Sequence, residues 1–206
     1  MCLAVNLFPH DLQLNERSRV VHMPGFVDAS KADALYQDID RQVSFCRPSV
    51  TFYSQLSPLP REVAWITEDG SLYSYSGVST EPTMWPEFLV PVRRLVEAEA
   101  STSFNSVLIN RYRDGKDTVG WHSDDELELG PVPTIASLSL GASRRFLMRC
   151  RTTRQKYEFH LAHGDLLMMF GHCQIDYEHH VPRERRVVDA RINLTFRNIF
   201  SLGKKL

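Results

Sequence analysis

Asn110-Arg-Tyr112-Arg-Asp-Gly-Lys-Asp-Thr-Val-Gly-Trp121-His122-Ser-Asp124-Asp125-Glu126 is the stretch on which the rest of the chain turns. At its centre stands His122-Ser123-Asp124. Side chains two residues apart on an extended segment point to the same side. A neutral imidazole and a carboxylate can then reach one cation. The tail supplies what such a site lacks. Tyr177-Glu-His179-His180-Val-Pro182 offers a second imidazole, from His179 or His180, with His172 an outside candidate. Two histidines and one carboxylate cover one face of Fe(II) and leave the other face for substrate and oxygen. Then comes Arg191-Ile-Asn193-Leu-Thr195-Phe-Arg197, which reads as a strand with both arginines on one face. Two guanidinium forks so placed can grip a dicarboxylate. Ile192, Leu194 and Phe196 form the opposite, apolar face. If the arginine face were interior, its two charges would need a ligand or partner acids.

The bulk numbers fit one compact domain. The chain has 206 residues, 43% hydrophobic and 24% charged, enough for a sizeable core. No apolar run is long enough to span a bilayer. The opening residues lack the basic region and cleavage site of a secretory signal. The expected location is therefore the cytoplasm or nucleoid of a bacterium, or the nucleus of a eukaryote. Cys2, Cys46, Cys150 and Cys173 are scattered with no Cys-x-x-Cys pair, which suits free thiols rather than disulfides or structural zinc. A formal net charge of −1 gives no global pull toward nucleic acid but allows a local basic face.

Along the chain, residues 1 to 25 read as loops and edge strands broken at Pro9 and Pro24. Asp28-Ala-Ser30 is placed to cap a helix running to about Val43, with Leu35, Ile39 and Val43 on one face. Between 48 and 77, Pro48, Pro58 and Pro60 interrupt strand-like pieces. Leu72-Tyr73-Ser74-Tyr75 alternates aromatic with small or polar residues, so Tyr73 and Tyr75 share a face. That face is either ordinary β packing or a ledge on which a base stacks, a contact worth about 1–3 kcal/mol. Trp85, Phe88, Leu89, Val92, Leu95 and Val96 mark an amphipathic helix. From 104 onward short strands follow at 105–112, 133–140, 144–150, 155–161, 165–170, 174–180 and 191–199. Regular short strands separated by turns suggest a sandwich or jelly roll.

The ordered set of Asn110-x-Tyr112, His122-x-Asp124, a later histidine and Arg191-x-Asn193-x-Thr195-x-Arg197 resembles the AlkB family of Fe(II)- and 2-oxoglutarate-dependent dioxygenases. The resemblance covers roughly residues 50 to 200. His-x-Asp-Asp-Glu and the ending Asn-Leu-Thr-Phe-Arg are similar to the family's nucleic-acid repair branch. That branch implies an α+β protein with a double-stranded β-helix (jelly roll) core and N-terminal buttressing helices. It implies one domain over 1–206, with an N-terminal extension and helix at 1–47, a nucleotide-recognition lid at 48–80 and the core at 104–200. It places the third ligand twelve residues before Arg191, which is His179, giving His122, Asp124 and His179 for iron. Arg191 and Arg197 are implied for the 2-oxoglutarate carboxylates, with Asn110, Tyr112, Asn193 and Thr195 as neutral contacts. Tyr73, Ser74, Tyr75, Asp125, Tyr53 and Arg61 are implied as substrate contacts, with Tyr75 and His122 on opposite sides of the target base.

The implied activity is oxidative demethylation of 1-methyladenine and 3-methylcytosine in DNA or RNA, with Fe(II), 2-oxoglutarate and O2, giving formaldehyde and succinate. The expected form is a monomer. Substituting His122, Asp124 or Arg197 should abolish turnover with the fold intact. The same core could instead oxidise a protein or a small molecule, and a jelly roll could bind nucleic acid without catalysis. Two basic runs, Arg144 to Lys156 and Arg183 to Arg186, together with Lys204 and Lys205, are candidates for a phosphate-contacting rim, which would make binding salt-sensitive.

Overall fold

The computed structural model describes residues 10–52, 55–68, 74–75, 78–79 and 83–200. The first described element is a hairpin of β1 (His10–Asn15) and β2 (Ser18–Met23), followed by α1 (Ala29–Gln42). β3 (Ser49–Phe52) and β4 (Gln55–Pro58) pair with each other, β5 (Glu62–Thr67) follows, and β6 (Ser74–Tyr75) pairs with β7 (Val78–Ser79). A short 3-10 turn, Glu87–Leu89, leads into α2 (Val90–Ala100). β8 (Ser106–Tyr112) and β9 (Val119–His122) come next, then β10 (Ile135–Gly141) and β11 (Arg144–Cys150). The last described elements are β12 (Lys156–Leu161), β13 (Leu166–Gly171), the short helix α3 (Cys173–Asp176), β14 (Tyr177–Val181) and β15 (Arg191–Arg197).

Seven strands form the major sheet in the order β1-β2-β13-β10-β15-β8-β5, and four form the minor sheet in the order β12-β11-β14-β9. This is an α+β jelly roll whose two sheets enclose the site. The helices cover the outer face of the major sheet. Asp28 caps α1, its Oδ1 accepting from the Lys31 N–H at 3.1 Å, and Ala32, Leu35 and Ile39 are buried. Val92, Val96 and Ala100 do the same for α2. Both helices pack on Val107, Ile109, Ala136, Leu138, Ile192, Leu194 and Phe196 in one cluster. Fully burying a side chain such as Ile39 contributes about 1.5–3 kcal/mol.

Strand alternation then dictates what lines the interior. β15 is buried at all seven positions. Ile192, Leu194 and Phe196 face the helices, so Arg191, Asn193, Thr195 and Arg197 face the cavity between the sheets. β10 obeys the same rule, with Ser137 opposite Thr195 and Ser139 opposite Asn193. β8 sets Tyr112 opposite Arg191 and Asn110 opposite Asn193. The polar interior is a set of cross-strand rows.

Four expectations change. The strand expected at 174–180 begins as a helical turn, α3, and becomes extended only at Tyr177. β9 is a strand of its own. β2 lies inside the major sheet between β1 and β13, not at its edge. β5 closes the other end of that sheet, so the lid expected over 48–80 gives up residues 62–67 to the core fold. Gly115 permits one close approach: a Cβ there would lie 1.8 Å from the Glu184 carbonyl oxygen. The loops after β8 and β14 meet at that point through Gly115 N–H to Val187 O and Glu184 N–H to Gly115 O.

Candidate active site

His122 ends β9 and pairs across the minor sheet with His179 on β14. Their rings lie 4.2 Å apart, centroid to centroid, and Phe146 stacks on the other side of His179 at 5.3 Å. The His122 Nδ1–H donates to the Gly120 carbonyl at 2.8 Å, which leaves Nε2 with a free lone pair. Asp124 follows after the strand has ended. Its Oδ1 lies 3.7 Å from His122 Nε2 and 3.9 Å from His179 Nε2. One ligand atom from each of these three residues lies within 4.8 Å of the other two, the only such group among the described residues. Asp124 Oδ2 accepts from Arg197 Nη2 at 2.8 Å and Nε at 3.2 Å, while Oδ1 is buried with no hydrogen-bond donor. An unsatisfied buried acceptor costs about 1–3 kcal/mol. A cation held by Oδ1 and two imidazole nitrogens would remove that cost, so the donor set fits a divalent metal.

The pocket runs from these residues toward Arg191 and is lined by Asn110, Tyr112, Asn193, Thr195, Arg61 and their neighbours. Arg191 is 1% exposed. Its Nη2 donates to Ser139 Oγ at 2.8 Å, while Nε and Nη1 have no hydrogen-bond acceptor of good geometry. Tyr112 lies between Arg191 and Arg144, with each guanidinium carbon about 5.3–5.5 Å from the ring centroid. Burial pulls the Arg191 guanidinium down to about 10, with Tyr112 opposing and Arg144 adding to the effect. Asn193 Nδ2 donates to Ser137 Oγ and the Leu138 carbonyl, and Thr195 Oγ1 donates to Asn193 Oδ1.

A family model described as the 2OG-Fe(II) oxygenase superfamily matches residues 19–197. The chain belongs to this superfamily. Alpha-ketoglutarate-dependent dioxygenase alkB homolog 3 of Bos taurus is 40% identical over 198 residues, covering 89% of this chain and 67% of the relative. DNA oxidative demethylase ALKBH2 of Mus musculus is 36% identical over 186 residues, covering 85% of this chain and 78% of the relative. The solved structure of OsALKBH1 shares the fold, with a TM-score of 0.64 at 19% identity over 92% of this chain and 100% of that one. In this 2OG-Fe(II) oxygenase, His122, Asp124 and His179 are the residues that would hold Fe(II).

The remaining sequence candidates are placed unevenly. His180 faces away from the oxygenase pocket and packs on Trp121 at 4.9 Å. His172 is not among the pocket-lining residues. Arg61 is buried and donates from Nε to Asn110 Oδ1 at 2.7 Å. Asp125 points out to solvent, 63% exposed and 3.5 Å from Arg151, whereas Glu126 is half-buried. Tyr53 and Tyr73 lie outside the described residues, and Ser74 and Tyr75 are described by their backbone in β6. The basic rim shrinks. Arg144 is buried against Glu184, Arg145 pairs with Glu158, and Arg149 and Arg154 share Glu178. Those acids come from other segments, so the run itself did not reveal them. Arg183, Arg185 and Arg186 remain exposed, and Lys204 and Lys205 lie outside the described residues. Sequence reasoning missed Ser139, which holds Arg191, and Gln174, which touches the Asp124 backbone. A lone serine and a lone glutamine carry no motif.

The ligand pair sets a pH dependence. Burial, and then the neighbouring His122, hold the His179 imidazole down to about 3. Burial also lowers His122. Burial alone would raise Asp124, but Arg197, followed by His179 and His122, outweighs it and lowers the carboxyl. The unfolded histidines take up protons near pH 6.5, while the folded ones do not. Native stability is therefore present above about pH 6.5 and is lost as pH falls toward about 3, with Asp124 adding its share below about 4. The urea midpoint of the metal-free oxygenase should drop between about pH 7 and pH 4, and His179→Gln should flatten that drop. An equal drop in both proteins would assign the effect elsewhere.

Proposed function

We propose that this oxygenase removes N-methyl groups oxidatively from the pairing edges of DNA bases, 1-methyladenine and 3-methylcytosine first among them. The observation that carries the reading is the open ligand set, with the donor-free Asp124 Oδ1 beside two imidazole nitrogens, in one pocket with two buried arginines. Its similarity to relatives named as alkB homologues and as DNA oxidative demethylases supports the choice of substrate. When bound, Fe(II) with 2-oxoglutarate and O2 supplies the oxidising power that hydroxylates the methyl group, with succinate and carbon dioxide as co-products. The hydroxymethylated base then loses formaldehyde.

The chain's own residues do the rest. Arg191 presents its buried guanidinium to one carboxylate of 2-oxoglutarate, and Tyr112 and Ser139 fix its orientation. Arg197 already holds Asp124 and presents its charge to the other end of the co-substrate. Asn110, Asn193 and Thr195 supply neutral contacts between them, and Arg61 holds Asn110 in place. The apolar walls, Leu108, Phe146, Met169 and Val181, limit water in the pocket. A pairing-edge methyl is buried in duplex, so the base must be flipped or single-stranded, and a lesion that cannot pair costs less to extrude.

The test follows methyl mass on matched DNA and RNA oligonucleotides carrying 1-methyladenine or 3-methylcytosine, with Fe(II), 2-oxoglutarate and O2 each omitted in turn. The expected result is methyl loss that needs all three and is faster on DNA. Steady succinate formation with the methyl retained would discard the substrate while keeping the oxygenase.

A further inference from the structure

Asp124 lies beyond the end of the sheet that positions its partners. The β9–β14 ladder pairs Val119 with Val181 and His122 with His179, with an irregularity between them. Asp124 is two residues further on, yet it is 1% exposed. Its backbone therefore needs an anchor other than strand pairing. The Asp124 N–H donates to Gln174 Oε1 at 3.0 Å, and both groups are buried. Gln174 is itself 1% exposed, and its Nε2 donates to the Met169 Sδ at 3.4 Å, which fixes the orientation of the amide. One residue earlier, Ser123 Oγ donates to the Tyr177 carbonyl at 2.7 Å and accepts from Arg151 Nη2 at 2.7 Å. Gln174 belongs to α3, between β13 and β14, and Tyr177 is the first residue of β14.

We infer that Gln174 and Ser123 form a side-chain clamp that replaces the missing ladder and positions the carboxylate ligand for the metal. Arg197 fixes Oδ2 from one side and the clamp fixes the peptide from the other. With both ends held, Oδ1 has one direction left, toward the two imidazole Nε2 atoms. Neither clamp residue needs to touch co-substrate or base, so both are positioning residues. The clamp also explains why a four-residue helix interrupts the approach to β14. That turn brings the Gln174 amide beneath Asp124 before the chain extends to place His179, so one connection serves two ligands. Partners in the layer behind metal ligands commonly affect metal affinity by about 10- to 100-fold.

This inference rests on the metal centre of the proposed function, and its test needs no nucleic acid. Mn(II) would be titrated into the protein, free Mn(II) followed by electron paramagnetic resonance, and thermal melting recorded in parallel. Gln174→Met keeps volume and removes the acceptor, and should weaken Mn(II) binding about tenfold or more. Gln174→Glu keeps an acceptor for the Asp124 N–H and should bind close to wild type. Ser123→Ala should weaken binding in the same direction. Wild-type affinity in Gln174→Met, or equal losses in the Met and Glu variants, would overturn the clamp. If Gln174→Met does not fold, Ser123→Ala decides: wild-type affinity overturns the clamp and weakened affinity supports it. A wild-type protein that held no Mn(II) would overturn the metal-site assignment and the clamp together. Wild-type Mn(II) affinity in all variants would leave the proposed function standing and remove the clamp.

Discussion

Replacing Asp124 with alanine is expected to abolish methyl release and to destabilise the protein at once. The first effect follows from losing the oxygen that faces both imidazole nitrogens. The second follows from Arg197, whose Nε and Nη2 both donate to that carboxylate, with both side chains 2% exposed. Removing one partner of a buried ion pair typically costs about 3–5 kcal/mol, because the other charge stays buried without it. For a chain of this size that corresponds to a melting point lower by about 6–20 °C. Asp124→Asn keeps the volume and an acceptor for Arg197, so it should lose activity with a smaller thermal penalty. Circular dichroism melts beside the methyl-mass assay would check both. An Asp124→Ala protein as active and as stable as wild type would remove the metal assignment. The sequence reading expected the fold to survive this substitution unharmed. The buried Arg197 pairing changes that expectation.

Arg191→Met should behave in the opposite way toward stability. Burial pulls the Arg191 guanidinium down to about 10, and two of its nitrogens have no hydrogen-bond acceptor of good geometry. Replacing an expensive buried charge with an apolar side chain of similar length is often neutral or stabilising. The melting point should therefore hold or rise. The co-substrate should suffer, because each hydrogen bond to a charged group is worth about 1.5–3 kcal/mol. Losing a two-pronged contact should lower kcat/KM for 2-oxoglutarate by about 100-fold or more. Arg191→Lys separates charge from shape: it retains the cation, loses the fork and should recover only part of the loss. A wild-type KM for 2-oxoglutarate in Arg191→Met would place the co-substrate elsewhere. Together the two substitutions distinguish an arginine that holds the protein together from one kept for a ligand.

The elements most legible in the sequence were those with strong local patterns. The first helix was framed by Asp28 and the four-residue spacing of Leu35 and Ile39. The alternation in Arg191–Arg197 announced a strand with one apolar and one charged face. The strands expected at 144–150 and 191–199 were marked by turn residues, and the second ends at Arg197. Less legible were elements whose identity depends on partners far along the chain. β2 looked like an edge strand because its pairing with β13 lies more than 140 residues away. Cys173–Asp176 looked extended because four residues are too few to show a helical period. β5 was assigned to a lid because the prolines before it dominate its local character.

The candidate site divides the same way. His122, Asp124, a later histidine and the two arginines were legible because their chemistry is written in residue type and order, and no neighbour needs to be known to see it. The choice between His179 and His180 rested on resemblance, and the pleat of β14 turns them to opposite faces. Asp125 could not be oriented from sequence, because the chain leaves the strand at His122 and alternation no longer applies. The basic run seemed unpaired because its acids, Glu158, Glu178 and Glu184, lie outside it and meet it across the minor sheet and its connecting loops. Gln174 carried no signal at all.

What the sequence by itself determined was composition along each strand: which face is apolar, which is charged, and which side chains can bind metal or carboxylate. Those properties are local and survive without knowledge of the fold. Only the tertiary structure decided which oxygen of Asp124 faces the imidazoles, which arginine is committed to it and which is held by Ser139 instead. Those outcomes depend on the register of β15 against β8 and β10 and on the turn before β14. Contacts between residues 50 to 91 positions apart have no local trace, so the chain must close its two sheets before they exist.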